Sequence, residues 1–270
     1  MSARGRRFSR RPGSETSRGR GRSKKTAPEW LVVGGPHAVM AALADPESVE
    51  RVYVEAGIDA PRAGEMLNVA ASAGVRVERL ARGECDRLAE TRSQGVAARV
   101  RFSYSDLEPI LETPQGLLVF LDSIEDPHNL GAIVRTAEAA GALAVVVPAR
   151  RSAMVTSAVV RASAGAALQL PICRPTNLVR ALEQARKAGF WVIGLDHTAE
   201  SVLESAAADA RTALVVGGEG RGLGRLVRES CDSLANLPMV GRVESLNASV
   251  AAALAIYRTC HHRLYGPQTC

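Results

Sequence analysis

Residues 117–148 read LLVFLDSIEDPHNLGAIVRTAEAAGALAVVVP, and the fold class turns on them. The stretch opens with an apolar run, 117–121, of the kind found in a strand buried on both faces of a parallel sheet. Asp126 then offers a helix cap and Pro127 stands at the first helical position. Leu130, Ile133, Val134 and Ala137 recur at helical spacing until Gly141 ends the pattern. A second apolar run, 143–148, follows. Strand, helix and strand in succession predict an α/β fold around a parallel sheet.

The same alternation extends outward in both directions. Downstream lie the apolar runs WVIGLD (191–196) and TALVVGG (212–218), and then a helix from about Asn247 to Tyr265. Its Val250, Leu254, Tyr257 and Leu264 form an irregular stripe suited to packing on the sheet or on a partner subunit. Upstream, from Trp30 to Phe102, come WLVV, HAVMAALA, RVYVEA, a helix to Ala73, VRVERL and VAARVRF, which together read as a smaller α/β unit. Residues 103–116, SYSDLEPILETPQG, carry two prolines and weak periodicity, and predict a linker with at most one helical turn. The expected layout is therefore a tail at 1–28, a small domain at 29–102, the linker at 103–116 and a larger domain at 117–270.

The net charge of +6 belongs to one end of the chain. Residues 1–28 hold ten Lys/Arg and one acidic residue, in a Gly/Ser/Arg-rich context too poor in apolar groups to pack. A disordered cationic tail is expected, and nucleic acid is its default partner because cations displace the counterions of phosphates. Simple solubilisation is the alternative reading of that charge. No apolar run reaches the ~20 residues of a membrane span and the N-terminus lacks a signal-peptide core, so a cytoplasmic protein without membrane contact is expected. Cys85, Cys173, Cys231, Cys260 and Cys270 form no C-x-x-C pair, and the five histidines show no ligand spacing. Reduced, mostly buried thiols and no metal are the expectation.

Three places put polar residues and glycines where strands end, which is where open α/β sheets bind ligands. In the first, DSIEDPHNLGAIVRTAEAAGA (122–142), Arg135 lies six residues after Asn129, about 240° round a helix, so the two converge only if Asn129 is still in the entry turn. The same residues read equally as a cap at Asp126 and a surface pair between Arg135 and Glu138. The second, VVGGEGRGLG (215–224), runs a strand into five glycines around Glu219. No register gives G-x-G-x-x-G or a P-loop, and an acid at the centre repels phosphate. That argues against a nicotinamide enzyme and for a neutral or cationic ligand, a sulfonium among them, with an ordinary glycine turn as the alternative. In the third, LPMVGRVESLNASVAAALAIY (237–257), Ser245 is a candidate N-cap, and Leu237 and Leu246 read equally as core.

Taken together and in this order, DPHNLGAIVRTAEAAGA, VVGGEGRGL and LPMVGRVESLNASVA resemble the three motifs of the SpoU/TrmH family of RNA 2′-O-ribose methyltransferases. The first unit, WLVVGGPHAV through QGVAARV, resembles the family's small L30e/L7Ae-like substrate-binding domain. The two-domain layout looks most like the bacterial 23S rRNA guanosine-2′-O-methyltransferases; the basic tail lies outside the common pattern. The resemblance implies a knotted (SPOUT, trefoil) parallel-sheet domain that binds S-adenosyl-L-methionine and a homodimer paired along the knot. It implies that Gly217, Leu237 and Leu246 line the cofactor pocket. It further implies that Asn129, Arg135, Glu219, Ser245 and Asn247 form the catalytic cluster. Structured RNA, 23S rRNA first and tRNA as the alternative, is the implied partner. A non-catalytic RNA-binding protein is the rival from another class. The resemblance also suggests that Arg135 helps to activate the ribose hydroxyl. A guanidinium stays charged at ordinary pH, so a phosphate clamp that stabilises the developing alkoxide suits it better than a literal base. Glu219 either orients Arg135 or takes the proton itself, and the sequence leaves both open.

Overall fold

The computed structural model describes residues 29–58, 60–204, 210–243 and 245–266. The predicted basic tail, 1–28, lies outside the described residues. The first unit runs β1 (Glu29–Gly34), α1 (Pro36–Leu43), β2 (Val49–Glu55), α2 (Ala60–Ser72), β3 (Arg76–Leu80), α3 (Glu84–Ala89) and β4 (Val96–Phe102). Its sheet has the order β1-β4-β2-β3, with β4 antiparallel to both neighbours and β3 parallel to β2. The four strands match the sequence reading. Helix α3 does not appear in that reading, because only Cys85 and Ala89 of its six residues are buried and so short an amphipathic run shows no period.

The second unit follows a one-turn helix, α4 (Leu107–Leu111), in the segment expected to be a linker. It runs β5 (Gly116–Asp122), α5 (Pro127–Ala139), β6 (Ala144–Val146), α6 (Ser157–Ala162), β7 (Ile172–Cys173), α7 (Leu178–Lys187), β8 (Trp191–Leu195), β9 (Arg211–Gly217), α8 (Arg225–Glu229), β10 (Ser233–Ala235), α9 (Ala248–Thr259) and α10 (His261–Tyr265). All six strands are parallel, in the order β10-β8-β9-β5-β6-β7. The central strand β5 is buried from Gly116 to Leu121, as its unbroken apolar run requires. Helix α5 begins as read: the Asp126 carboxylate accepts from His128 N at 2.8 Å, Pro127 sits at the first position, and Leu130, Ile133, Val134 and Ala137 are buried. Strands β7 and β10, two and three residues long, escape sequence reading because they are too short to carry a period.

Two expectations at the C-terminal end are corrected. The N-cap of α9 is Asn247, not Ser245: Asn247 Oδ1 accepts from Ser249 N at 3.0 Å and Val250 N at 3.3 Å, and helical hydrogen bonding starts two residues later than a Ser245 cap requires. The long terminal helix is also two helices, broken at Cys260. Among the cysteines, Cys85, Cys173 and Cys260 are buried and free, and burial pushes the Cys173 thiol up to about 12.

The two units share one hydrophobic core. Val33, Ala38 and Val52 of the first pack in the same cluster as Val119, Val159 and Ala167 of the second. The units approach closely at Gly165, which has φ +93°; an added Cβ would stand 2.4 Å from Ala41 Cβ on α1. Gly165→Ala combines a left-handed backbone with a clash, so it should lower unfolding free energy by about 1–3 kcal/mol. Urea denaturation checks this, with an unchanged midpoint as the contrary result.

Candidate active site

Parallel register brings the ends of β5 and β9 side by side, with Asp122 opposite Gly217. The loop after β9 folds tightly on itself. Gly222 N donates to Gly218 O at 3.0 Å, and Gly224 N donates to Asp122 Oδ2 at 2.7 Å. Gly217 and Gly218 are glycines for closeness rather than for φ. A Cβ at Gly217 would stand 2.2 Å from the Gly222 carbonyl carbon, and one at Gly218 would stand 2.3 Å from Ser123 O. The close backbone approach is thus made by the protein to itself, which presents the rest of the loop at the strand ends.

Glu219, at the centre of that loop, collects partners from two helices far apart in sequence. Its Oε1 accepts from Asn129 Nδ2 at 3.1 Å, from Asn247 Nδ2, and from Ala248 N at 3.3 Å. Asn247 Nδ2 also donates to Asn129 Oδ1 at 3.1 Å. The first turn of α5, the glycine loop and the start of α9 are therefore joined at one carboxylate, which sits against a helix N-terminus where negative charge is favoured.

A cleft of about 310 Å³ opens on one side of Glu219. Gly217, Leu237 and Leu246 line it, as does Ser245. Leu195, His197, Val216, Met239 and Ala251 complete a largely apolar wall. Gly220, with φ +79°, would place a Cβ in open space, so this rim is bare backbone. A second cleft of about 450 Å³ lies on the other side and shares Gly218, Glu219 and Ala248 with the first. It is polar and adds Asp126, Asn129, Arg151 and Arg221. Ser123 and Arg151 on its wall hold φ +62° and +57°, a conformation costing about 1 kcal/mol or more for residues with a side chain. Ala153 N, donating to Ile124 O at 2.8 Å, ties these two turns together.

Of the eight residues singled out by sequence, Asn129, Glu219 and Asn247 meet, and Gly217, Leu237, Ser245 and Leu246 line the adjoining cleft. Arg135 stands apart. Asn129 is already helical, so Arg135 lies two-thirds of a turn round α5 from it, exposed, with no ion pair or hydrogen bond among the described residues. The surface pair with Glu138 is not formed either. Sequence reading missed Arg151 and Arg221. Each sits in an irregular loop where no period or motif spacing marks a single arginine.

Comparison with known proteins places this geometry. The model of the SpoU rRNA Methylase family matches residues 116–257, and that of the RNA 2′-O ribose methyltransferase substrate-binding domain matches residues 32–105. The 23S rRNA (guanosine-2′-O-)-methyltransferase RlmB of Xanthomonas campestris is 41% identical over 244 residues, covering 87% of this chain and 97% of its own. The Bacillus subtilis protein YacO, named for the TrmH family of tRNA/rRNA methyltransferases, is 37% identical over 85% of this chain and 94% of its own. Among solved structures, the SpoU methyltransferase AviRb of Streptomyces viridochromogenes in complex with AdoMet superposes with a TM-score of 0.73 at 26% identity, covering 88% of this chain and 92% of that one. With the first match spanning more than half of the sequence, the chain belongs to the SpoU/TrmH family of RNA 2′-O-ribose methyltransferases.

Proposed function

We propose that this protein transfers a methyl group from S-adenosylmethionine to a ribose 2′-hydroxyl of structured RNA, a guanosine of 23S rRNA before any other. The observation that carries this reading is the Asn129–Glu219–Asn247 cluster, standing as the common wall of an apolar cleft and a polar one. The residues present fit the cofactor. Leu195, Leu237, Leu246 and Ala251 suit an adenine, the bare backbone at Gly220 offers hydrogen bonds, and Glu219 complements a cationic centre. Bound there, S-adenosylmethionine supplies a methyl group on a positively charged sulfur.

The remaining work falls to the protein. Glu219 Oε1 is occupied by three donors, whereas no described residue donates to Oε2. Oε2 is thus the acceptor for the ribose hydroxyl proton, and Asn129 and Asn247 hold the carboxylate in place. Arg151 and Arg221 supply cations for the flanking phosphates on the rim of the polar cleft. Ser245 and the backbone near Leu237 fix the other ligand. Arg135, remote from Glu219 in its own subunit, acts in this reading on a partner's site and stabilises the developing alkoxide.

A homodimer supports that last role. The stripe Val250, Leu254 and Tyr257 faces away from the sheet, with Leu254 51% exposed, while Ala248, Ala252, Ala255 and Ile256 cover the core. An apolar helix face of this kind fits a second copy. The trefoil knot belongs to the same reading, supported by the return of α9 from the sheet edge at β10 to pack on α5 and β9. So do the boundaries at residues 29, 103 and 117, and a cytoplasmic location. No helix among the described residues is long and apolar enough to cross a membrane. Transfer RNA is the second substrate reading, favoured by the names of relatives such as YacO.

Arg135→Ala should lower single-turnover methylation by roughly 100- to 1000-fold with little change in calorimetric affinity for S-adenosylmethionine, whereas Glu219→Gln should lower turnover on the same scale and weaken cofactor binding as well. Arg135→Lys should rescue poorly, since an ammonium cannot reproduce a planar grip. Near-normal turnover in Arg135→Ala returns that residue to the surface. Leu254→Arg should yield a monomer by sedimentation and lose turnover with it; a catalytically competent monomer would falsify the shared site. Ribose-methylation mapping of total RNA with and without the gene identifies the nucleotide, and a change confined to tRNA would replace the ribosomal assignment.

A further inference from the structure

The sheet of the first unit has two unlike faces. One, built by Leu31, Val33, Val52, Val54, Ala98 and Val100, packs into the shared core. Among the described residues the other is only half covered: α3 lays Cys85 and Ala89 over Ala97, Val32, Tyr53 and Leu80, and ends there. Beyond α3 the same face presents Trp30 and Arg101 as direct cross-strand partners on β1 and β4. Next to them, Arg99 on β4 stands opposite Arg51 on β2, and Arg51 stands opposite Arg76 on β3.

Three arginines in register across adjacent strands are unfavourable, because like charges directly opposite repel. Two carboxylates offset this in part. Glu78 pairs with Arg51, and Glu50, the extra residue where the β2–β4 register shifts, pairs with Arg99 at 3.0 Å. Arg76 and Arg101 have no such partner among the described residues, so the face keeps an excess of positive charge. Trp30 is 49% exposed, and the Arg99 guanidinium lies over its ring at 5.2 Å from the centroid. A large aromatic exposed beside a row of arginines has no use in packing. It matches what unpaired RNA requires, a surface on which a base stacks while cations follow the phosphates.

The chain itself adds to this. Strand β1 is an edge of the sheet, and Glu29 at its start lies at the uncovered end of the face. The basic segment 1–28 is continuous in sequence with the strand that carries Trp30. We infer that the uncovered half of this sheet, Trp30 with Arg51, Arg76, Arg99 and Arg101, is a docking platform for an unpaired RNA strand, with one base stacked on Trp30. The inference rests on the reading of the chain as an RNA methyltransferase, and it assigns to the platform the capture of substrate at a distance from Glu219.

The test uses the full chain carrying Trp191→Phe, so that Trp30 is the only tryptophan. It is titrated with a labelled single-stranded RNA of about 12 nucleotides. Stacking predicts quenching of Trp30 emission that saturates together with the anisotropy of the RNA. Trp30→Ala should weaken binding about tenfold. Arg51→Gln with Arg76→Gln should reduce the salt slope of log affinity by about 0.7 per arginine. Unchanged Trp30 emission on an RNA that demonstrably binds would overturn the platform, as would quenching by protein concentration alone, which indicates self-association. S-adenosylmethionine binding by the parent protein tests the enzymatic reading separately: its absence there would overturn that reading, whereas the platform variants should keep it normal whether or not the platform binds RNA.

Discussion

Everything in the candidate site depends on one carboxylate oxygen. Glu219 Oε1 receives hydrogen bonds from the first turn of α5, from the cap residue of α9 and from the backbone of Ala248. Three segments separated by 90 and 28 residues in sequence are thereby fixed at one point. Hydrogen bonds to an ionised group are roughly twice as strong as neutral ones, and here they hold three segments of the chain at one point. Asn247 caps a helix with Oδ1 while its Nδ2 holds Glu219, so the start of α9 cannot shift without releasing the carboxylate.

The scaffold explains why such an arrangement persists. Parallel strands β5 and β9 deliver Asp122 and Gly217 to the same level, and the glycine loop packs backbone on backbone where no side chain fits. Left-handed turns at Ser123 and Arg151 line the polar cleft beside it, so local strain lies at the site and is offset by the buried central strands β5 and β9 beneath.

Much of this was legible in the sequence, for physical reasons that differ by element. The central strands were readable because burial on both faces demands unbroken apolar runs, and α5 because its cap, proline and period agree. Strands β7 and β10 were not, being held by neighbours rather than by their own pattern. In ESLN two residues offer caps, and only the geometry at Asn247 decides between them. The position of Arg135 followed from helix geometry once Asn129 was seen inside α5. The arginine platform was hidden because its row runs across strands, and one-dimensional reading sees only Arg51, Arg76 and Arg99 scattered among valines.

The central claim is that the methyl group goes to a ribose oxygen rather than to a base. The direct measurement incubates the protein with methyl-labelled S-adenosylmethionine and total RNA from cells lacking the gene, followed by digestion to nucleosides. The account predicts that the label elutes with a 2′-O-methylated nucleoside. Label recovered in a base-methylated nucleoside, or no transfer to any RNA by protein that binds the cofactor, would contradict it.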